Sequence, residues 1–368
     1  MSFLEIIDQF ENFNFREYFN SVSKKDIEET LRKNRLSHYD LLNLLSETGE
    51  KYLEEMAQKA SELTVQYFGR TIQLFIPLYL SNYCTNNCIY CGFGVKNSIK
   101  RRKLTLKEIE REACEIAKTG MRHILILTGE AIEVTPLSYL KDAVALLSKY
   151  FSSVSIEILP LEIQQYKTLK KAGVDGLTIY QEVYDRKVYE KVHLSGNKKD
   201  YDFRINTPEN GALAGFRMIN IGTLFGLGEK RKEAFFTALH AKYLRDKYID
   251  TEISISLPRI NSAEGDFKPF CNVGDMNFVQ FLMAFRLFLP RVGITISTRE
   301  QADFRDRLLF LGATRFSAGS KTEVGGYALS GAESGTQFDI NDNRSVDEII
   351  NTIKSKGFQP VFKDWDVF

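Results

Sequence analysis

Three cysteines lie together in Tyr83-Cys84-Thr85-Asn86-Asn87-Cys88-Ile89-Tyr90-Cys91-Gly92-Phe93, a C-x3-C-x2-C spacing with no fourth cysteine or histidine close by in sequence. Three thiolates on one short loop can hold three irons of a cubane iron–sulfur cluster and leave the fourth iron open. An open iron can bind a substrate or cofactor, whereas a site closed by four cysteines mostly passes electrons. Zinc is the rival occupant, but structural zinc takes four protein ligands, usually as two separated pairs. The nearest histidine downstream is His123, beyond a predicted helix. Three unliganded cysteines clustered by chance is the weakest of the three readings.

The remaining cysteines carry less. Cys114 falls within an amphipathic helix that a Thr105-x-x-Glu108 capping box opens, and is expected as a small, semi-buried side chain. Cys271 follows Lys268-Pro269-Phe270 in a loop, where it could approach a pocket, and is read first as structural. An odd count of five cysteines, three of them crowded together, does not form a disulfide framework and points to a reducing, cytoplasmic compartment. A formal charge of +1 excludes a strong field for nucleic acid or anionic lipid. No apolar run approaches a membrane span, and the start Met1-Ser2-Phe3-Leu4-Glu5 lacks the pattern of a signal peptide.

The elements that must position the cysteines change character near residue 70. Residues 1–69 read as helix, with starts at Ser23-Lys24-Lys25-Asp26 and Ser37-His38-Tyr39-Asp40. A stripe of Leu53, Met56, Ala57, Ala60, Leu63, Tyr67 and Phe68 suits a core or docking face. Beyond them, strands alternate with helices: Ile72–Leu80, His123–Leu127, Val154–Leu159, Gly176–Tyr180, Phe216–Ile221, Glu252–Leu257, Gly293–Ser297 and Thr314–Ser317. Eight such units predict an α/β fold, a (β/α)8 TIM-type barrel with a helical N-terminal extension. The core would span 70–300, with 301–368 completing the barrel. A doubly wound open sheet is the alternative. In a barrel, site residues gather where strands end. The cysteine loop follows the first strand, Glu130 the second, Glu157 ends the third and Tyr180-Gln181-Glu182 the fourth, with Arg299 and Ser317 at the last two. Singly each is an ordinary loop residue; their clustering carries the weight.

With its aromatic Tyr90 before Cys91, the cysteine motif resembles that of the radical S-adenosylmethionine (SAM) enzymes. Thr128-Gly129-Glu130 is similar to the family's Gly-Gly-Glu segment, with threonine in place of the first glycine. Ile221-Gly222-Thr223-Leu224-Phe225-Gly226-Leu227-Gly228 is similar to its glycine-bearing fifth strand. Within the family, Cys91-Gly92-Phe93, Glu157-Ile158-Leu159-Pro160, Tyr180-Gln181-Glu182, His193-Leu194-Ser195-Gly196 and Ser317-Ala318-Gly319-Ser320-Lys321 resemble the aromatic amino-acid lyases. The ending Gln359-Pro360-Val361-Phe362-Lys363-Asp364-Trp365 resembles those of thiamine biosynthesis.

The resemblance implies one 4Fe–4S cluster on Cys84, Cys88 and Cys91, with SAM on the open iron. One-electron reduction of SAM would give a 5′-deoxyadenosyl radical that takes hydrogen from the amino group of L-tyrosine. Cleavage at Cα–Cβ would then yield 2-iminoacetate (dehydroglycine) and p-cresol. It also implies that Tyr90, Thr128, Gly129, Glu130 and Gly222 border SAM, that Glu157 meets its ribose and Arg204 its carboxylate. Arg299 would take the substrate carboxylate, with Ser317 as second contact and Tyr79 near the amine. The competing reading of Arg299 is an ion pair with Glu300 or Asp303, and that of Tyr79 a core residue. Gln181 and Glu182 could stand near the site or belong to the barrel's polar layers. His193 is read first as structural, His38 and His240 as surface or packing residues, and Arg101-Arg102 as a solvated turn.

Implied partners are L-tyrosine, a thiazole synthase that receives the hydrolysable imine, and a reducing donor such as flavodoxin or ferredoxin. The N-terminal helices are the expected docking surface. Two related lyases compete, one acting on tryptophan and one serving hydrogenase cofactor maturation; the absence of any cysteine after Cys271 counts against the latter. From another class, a non-catalytic iron–sulfur or zinc module would show four protein ligands per metal.

Overall fold

The strands predicted from residue 71 onward all form, and their pairing closes. In the computed structural model, which describes residues 2–265, 267–329 and 334–363, they are β1 (Thr71–Ser81), β2 (His123–Thr128), β3 (Ser153–Glu157), β4 (Val174–Glu182), β5 (Met218–Thr223), β6 (Glu252–Ser256), β7 (Gly293–Ile296) and β8 (Arg315–Ser317). They run in the order β2-β3-β4-β5-β6-β7-β8-β1, all parallel, and β1 pairs back onto β2 from Ile76↔Ile124 to Ser81↔Thr128. That last pairing makes a barrel and excludes the open-sheet alternative. A short β9 (Gln359–Val361) pairs with Thr71–Gln73, where β1 extends beyond its pairing with β2. The motif residues Asp364 and Trp365 lie outside the described residues.

Strand composition explains the closure. Every residue of β2 and β5 is buried, as is all of β1 after Thr71, because parallel strands covered by helices have no solvent face. The fifth strand begins later than its apolar run suggests, since the Phe216 N–H turns back to Gly211 O and finishes the preceding helix. Outer helices start where capping chemistry marks them. Thr105 and Glu108 form the expected capping box on Leu106–Lys118, and Gly173, with φ +120°, ends Ile163–Ala172. Cys114 is exposed on the first of these helices, a correction: the buried stripe there is Ile109, Glu112, Ala113 and Ile116.

Residues 2–68 wrap one flank of the barrel. The helices Phe3–Asp8, Phe15–Ser21, His38–Leu45 and Leu53–Phe68 pack on the barrel helices Lys230–Lys247 and Asp275–Phe288, and Lys24–Arg32 packs on His38–Leu45. Covered on both sides, Asp275–Phe288 buries ten of its residues, Arg286 included. Gln280 Nε2 donates to Leu44 O and Ser46 O (2.8 and 2.7 Å), giving Leu44 O, at the end of its helix, a partner. Phe3 stacks on His240 at 4.1 Å between centroids. Of the apolar stripe, Met56 and Ala60 are buried, while Tyr67 is exposed. Among the described residues no helix is long and apolar enough to cross a membrane.

Candidate functional site

The cysteine loop is pinned on three sides. Asn87 N–H donates to Ser195 O (3.0 Å) and Ile89 N–H to Val192 O (3.1 Å), which fasten it to the His193-Leu194-Ser195-Gly196 segment; Thr85 N–H donates to Glu130 O (3.1 Å) after β2. Arg101 supplies the third side. Its guanidinium donates to the carbonyls of Asn82, Phe93 and Gly94 at 2.7, 2.8 and 2.6 Å, so this half-buried arginine is a clasp and not the solvated turn expected. Arg102 pairs with Glu108 at 2.7 Å.

The sulfurs are set up for metal. Backbone N–H groups of Asn86 and Glu130 point at Cys84 Sγ, and that of Phe93 at Cys91 Sγ, the kind of donor that tunes iron-bound sulfur. Burial pushes the Cys84 thiol up to about 11 and the other two up as well. Free thiols here would stay protonated, so ligation is what would hold them as thiolates. Among the described residues no three His, Cys, Asp or Glu side chains converge closely enough for a single metal ion, which disfavours mononuclear zinc. The donor set fits a three-thiolate cluster. Gly129 fits it too: a Cβ there would sit 2.3 Å from Tyr83 O, so only glycine lets the strand end pass beside the cysteine loop.

Behind the loop lies a buried charge cluster. Glu130 pairs with Arg204 (3.0 Å) and accepts from Asn86 Nδ2 (2.7 Å); Arg204 also reaches Glu182 (3.6 Å) and donates from Nε to Tyr180 O (2.7 Å). Lys198 pairs with Glu182 at 2.7 Å. Burial alone would raise the Glu130 carboxyl, but Arg204 and Lys198 hold it below its ordinary value. Glu182 has φ +70°, alone among the described non-glycine residues, at a bulge between β4 and β5. Strain of this sort persists where surrounding contacts over-determine it, as the cations on its side chain and Thr223 Oγ1 on its carbonyl do here. Arg204, expected at a ligand carboxylate, thus already has two carboxylate partners within the chain.

Two cavities meet above the barrel. One is lined by Phe75, Pro77, Tyr79, Leu125 and Leu127 together with the hydroxyls of Ser256, Thr295, Thr298 and Ser317; the other is bordered by Tyr90, Cys91, Glu182 and Lys198. Glu157, Tyr180, Pro258, Arg299, Gln337 and Phe338 line both. Glu157 makes no hydrogen bond among the described residues, and burial together with Glu182 pushes its carboxyl up to about 7. Arg299 is not paired with Glu300 or Asp303: Glu300 is taken by Arg259, and Asp303 by Arg307 at 3.5 Å. Its guanidinium lies over the Phe338 ring at 3.3 Å, with one long bond of 3.5 Å to Arg259 O. Tyr79 OH donates to Gln337 Oε1 at 2.6 Å, and Ser317 Oγ accepts from Thr298 N–H at 3.1 Å.

The other expected residues do not line these cavities. Thr128 Oγ1 and the amide of Gln181 are buried with no hydrogen-bond partner among the described residues, and a Cβ on Gly222 would meet Ser256 O at 2.6 Å. His193 is structural: Nδ1 meets Tyr189 O (2.9 Å) and Nε2 meets Tyr90 OH (2.8 Å), so the ring orients Tyr90. Buried beside Lys198 and Arg204, it stays neutral, its pKa pushed down to about 2. His240 is a packing residue, 1% exposed. Sequence reasoning missed Lys198, Gln337 and Phe338. Lys198 stands two residues past the Ser195-Gly196 motif; the other two lie in a stretch with neither periodicity nor motif.

Comparison with known proteins follows this geometry. The radical SAM superfamily domain matches residues 78–239, and the biotin and thiamin synthesis associated domain residues 256–359. The chain is 38% identical over 350 residues to the 2-iminoacetate synthase of Escherichia coli (strain K12), covering 95% of this chain and 93% of that one. To that of Salmonella typhimurium it is 38% identical over 359 residues, covering 97% and 95%. A crystal structure of HydG, a maturase of the FeFe-hydrogenase, superposes with a TM-score of 0.90 at 30% identity, over 97% of this chain and 81% of that one. The HydG structure from Carboxydothermus hydrogenoformans gives 0.88 at 34%, over 98% and 85%.

Proposed function

The chain belongs to the radical SAM superfamily, within the family of the 2-iminoacetate synthases, and on that premise we propose that it cleaves the Cα–Cβ bond of L-tyrosine to 2-iminoacetate and p-cresol. A 4Fe–4S cluster and S-adenosyl-L-methionine supply the one-electron chemistry that begins with hydrogen abstraction. Cys84, Cys88 and Cys91 hold the cluster. Tyr90, Thr128, the Gly129 main chain, Glu130, Glu157, Arg204 and Gly222 surround SAM on the cysteine side. Glu157, whose carboxyl burial and Glu182 push up to about 7, has no side-chain hydrogen bond among the described residues and can accept from a ribose hydroxyl when ionised or donate to one when protonated.

One observation carries the reading. Arg299, a guanidinium with no carboxylate partner among the described residues, stands where the cavity beside Cys91 joins a second cavity lined by Phe75, Pro77, Leu125 and Leu127 together with hydroxyl side chains such as Ser317. That is the layout an aryl amino acid requires: a two-pronged donor for its carboxylate, a slot for its ring, and its amine turned toward the radical source. Ser317 and Tyr79 border the same slot. We further assign delivery of the imine to a thiazole synthase, a flavodoxin or ferredoxin as electron source, and a cytoplasmic location. The N-terminal helices, which leave Tyr39, Val65 and Tyr67 exposed, are the proposed docking surface.

Anaerobic turnover decides. Reconstituted protein with SAM, L-tyrosine and a reductant is expected to form 5′-deoxyadenosine, p-cresol and glyoxylate from the hydrolysed imine. An intact cluster that yields no p-cresol would sink the assignment. Formation of 3-methyl-2-indolic acid from tryptophan would move it to the related lyase.

A further inference from the structure

The chain's late segment Ser334–Asp342 runs across the barrel mouth as a strap, and its attachments are specific. Gly92 N–H donates to Gln337 O (3.1 Å), Gln337 N–H to Thr322 O (3.3 Å), Thr322 Oγ1 to Phe338 O (3.0 Å) and Asn341 Nδ2 to Arg299 O (2.7 Å). A Cβ on Gly92 would lie 2.4 Å from Thr336 O and 2.8 Å from Gln337 O, so the strap can approach the residue after Cys91 only because that residue is glycine. The strap is thereby held in register with the cysteine loop on one side and with Arg299 on the other.

On this strap the Gln337 side chain is oriented by one bond. Its Oε1 accepts from Tyr79 OH at 2.6 Å, which turns the Nε2 amide hydrogens the other way; they make no hydrogen bond among the described residues. The side chain borders both cavities, as does Arg299, whose guanidinium is stacked on the next residue of the strap, Phe338. Two neighbouring groups therefore offer spare N–H donors to one space. One is charged and one neutral. A single guanidinium balances a single carboxylate, and a second cation in so enclosed a cavity would be left uncompensated. A neutral amide adds donors without adding charge.

We infer that Gln337 is a substrate-binding residue, its Nε2 donating to the α-carboxylate that Arg299 neutralises, and that Tyr79 is a positioning residue that fixes the Gln337 amide. This rests on the reading of the chain as a tyrosine lyase, and it moves Tyr79 from a direct contact to the amine to a support behind the strap.

The test is equilibrium binding to cluster-loaded enzyme with SAM and no reductant, using L-tyrosine, 3-(4-hydroxyphenyl)propionate, which keeps the carboxylate, and tyramine, which lacks it. Gln337→Ala and the volume-keeping Gln337→Met are expected to weaken the first two ligands roughly 10- to 100-fold, as loss of a hydrogen bond to a charged group does, and to leave tyramine within about twofold of wild type. Cluster absorbance per chain, unchanged in both variants, shows that the strap has not simply unfolded. Tyr79→Phe is expected to weaken the carboxylate ligands less than either. Equal weakening of all three ligands, or none, overturns the contact while leaving the lyase reading intact. A wild type that binds none of them removes the lyase reading and the contact together.

Discussion

At the scale of single residues, the site depends on groups that have no side chain at all. Gly129 and Gly92 let the β2 end and the strap lie against the cysteine loop at distances a methyl group would fill. In Gly129→Ala the new Cβ, 2.3 Å from Tyr83 O, must push the backbone beside Cys84, and neither neighbour is a flexible chain end that could yield. A displacement of about 1 Å at a reacting centre costs about 100-fold in rate. We expect Gly129→Ala to lower iron per chain after reconstitution and to cut p-cresol formation by about that factor. Normal iron content and normal turnover would show that the loop does not need this close approach. The cysteines and the glycines beside them are legible in sequence because their spacing is local. Lys198 and Gln337 are not, since what makes them part of the site is a partner far away in the chain, Glu182 for one and Tyr79 for the other.

At the scale of elements, one face of the N-terminal helices is packed on the barrel. Gln280 shows how: its Nε2 satisfies Leu44 O and Ser46 O at the end of His38–Leu45, while its own Oε1 is buried without a partner. In Gln280→Leu the Leu44 carbonyl loses its donor, while Ser46 O keeps the Glu50 N–H, and one unpaired oxygen disappears; a net loss of about 1–2 kcal/mol should lower the urea midpoint. Iron content should not change, because the helix lies on the barrel's outer flank. An unchanged midpoint would mean that these two hydrogen bonds add nothing net to stability. The eight barrel strands are readable in sequence, since buried parallel strands are continuous apolar runs; the three-residue strand Gln359–Val361 is not, being too short to show a pattern. The N-terminal stripe was readable as apolar, but its destination was not. Helix Asp275–Phe288 is buried on nearly every side, and only its second covering layer tells where Leu41, Leu44 and Met56 go.

At the scale of the whole molecule, burial of neutral histidines ties stability to acidity. His240 is held down to about 3 from an ordinary 6.5 by burial; around it stand Phe3 and Tyr184, with Tyr184 OH at 3.0 Å from Nδ1. As pH falls below about 6.5 the unfolded chain takes a proton here and the folded chain does not, so stability present above that pH is lost progressively toward about 3. Glu233, pushed up to about 7 by burial, has the opposite effect and gains on acidification. A difference between variants isolates the histidine. His240→Asn, which keeps an acceptor near Tyr184, should lose about 2 kcal/mol less than wild type between pH 8 and pH 5 in chemical denaturation; parallel losses would mean that His240 titrates in the folded state. The strap has a consequence at this scale as well. Its bond from Gly92 to Gln337 joins residues far apart in the sequence and so closes a long loop, whose entropic cost falls on folding. The strap's other attachments, at Thr322 and Asn341, share in meeting that cost, so its hold on the cysteine loop does not rest on one bond.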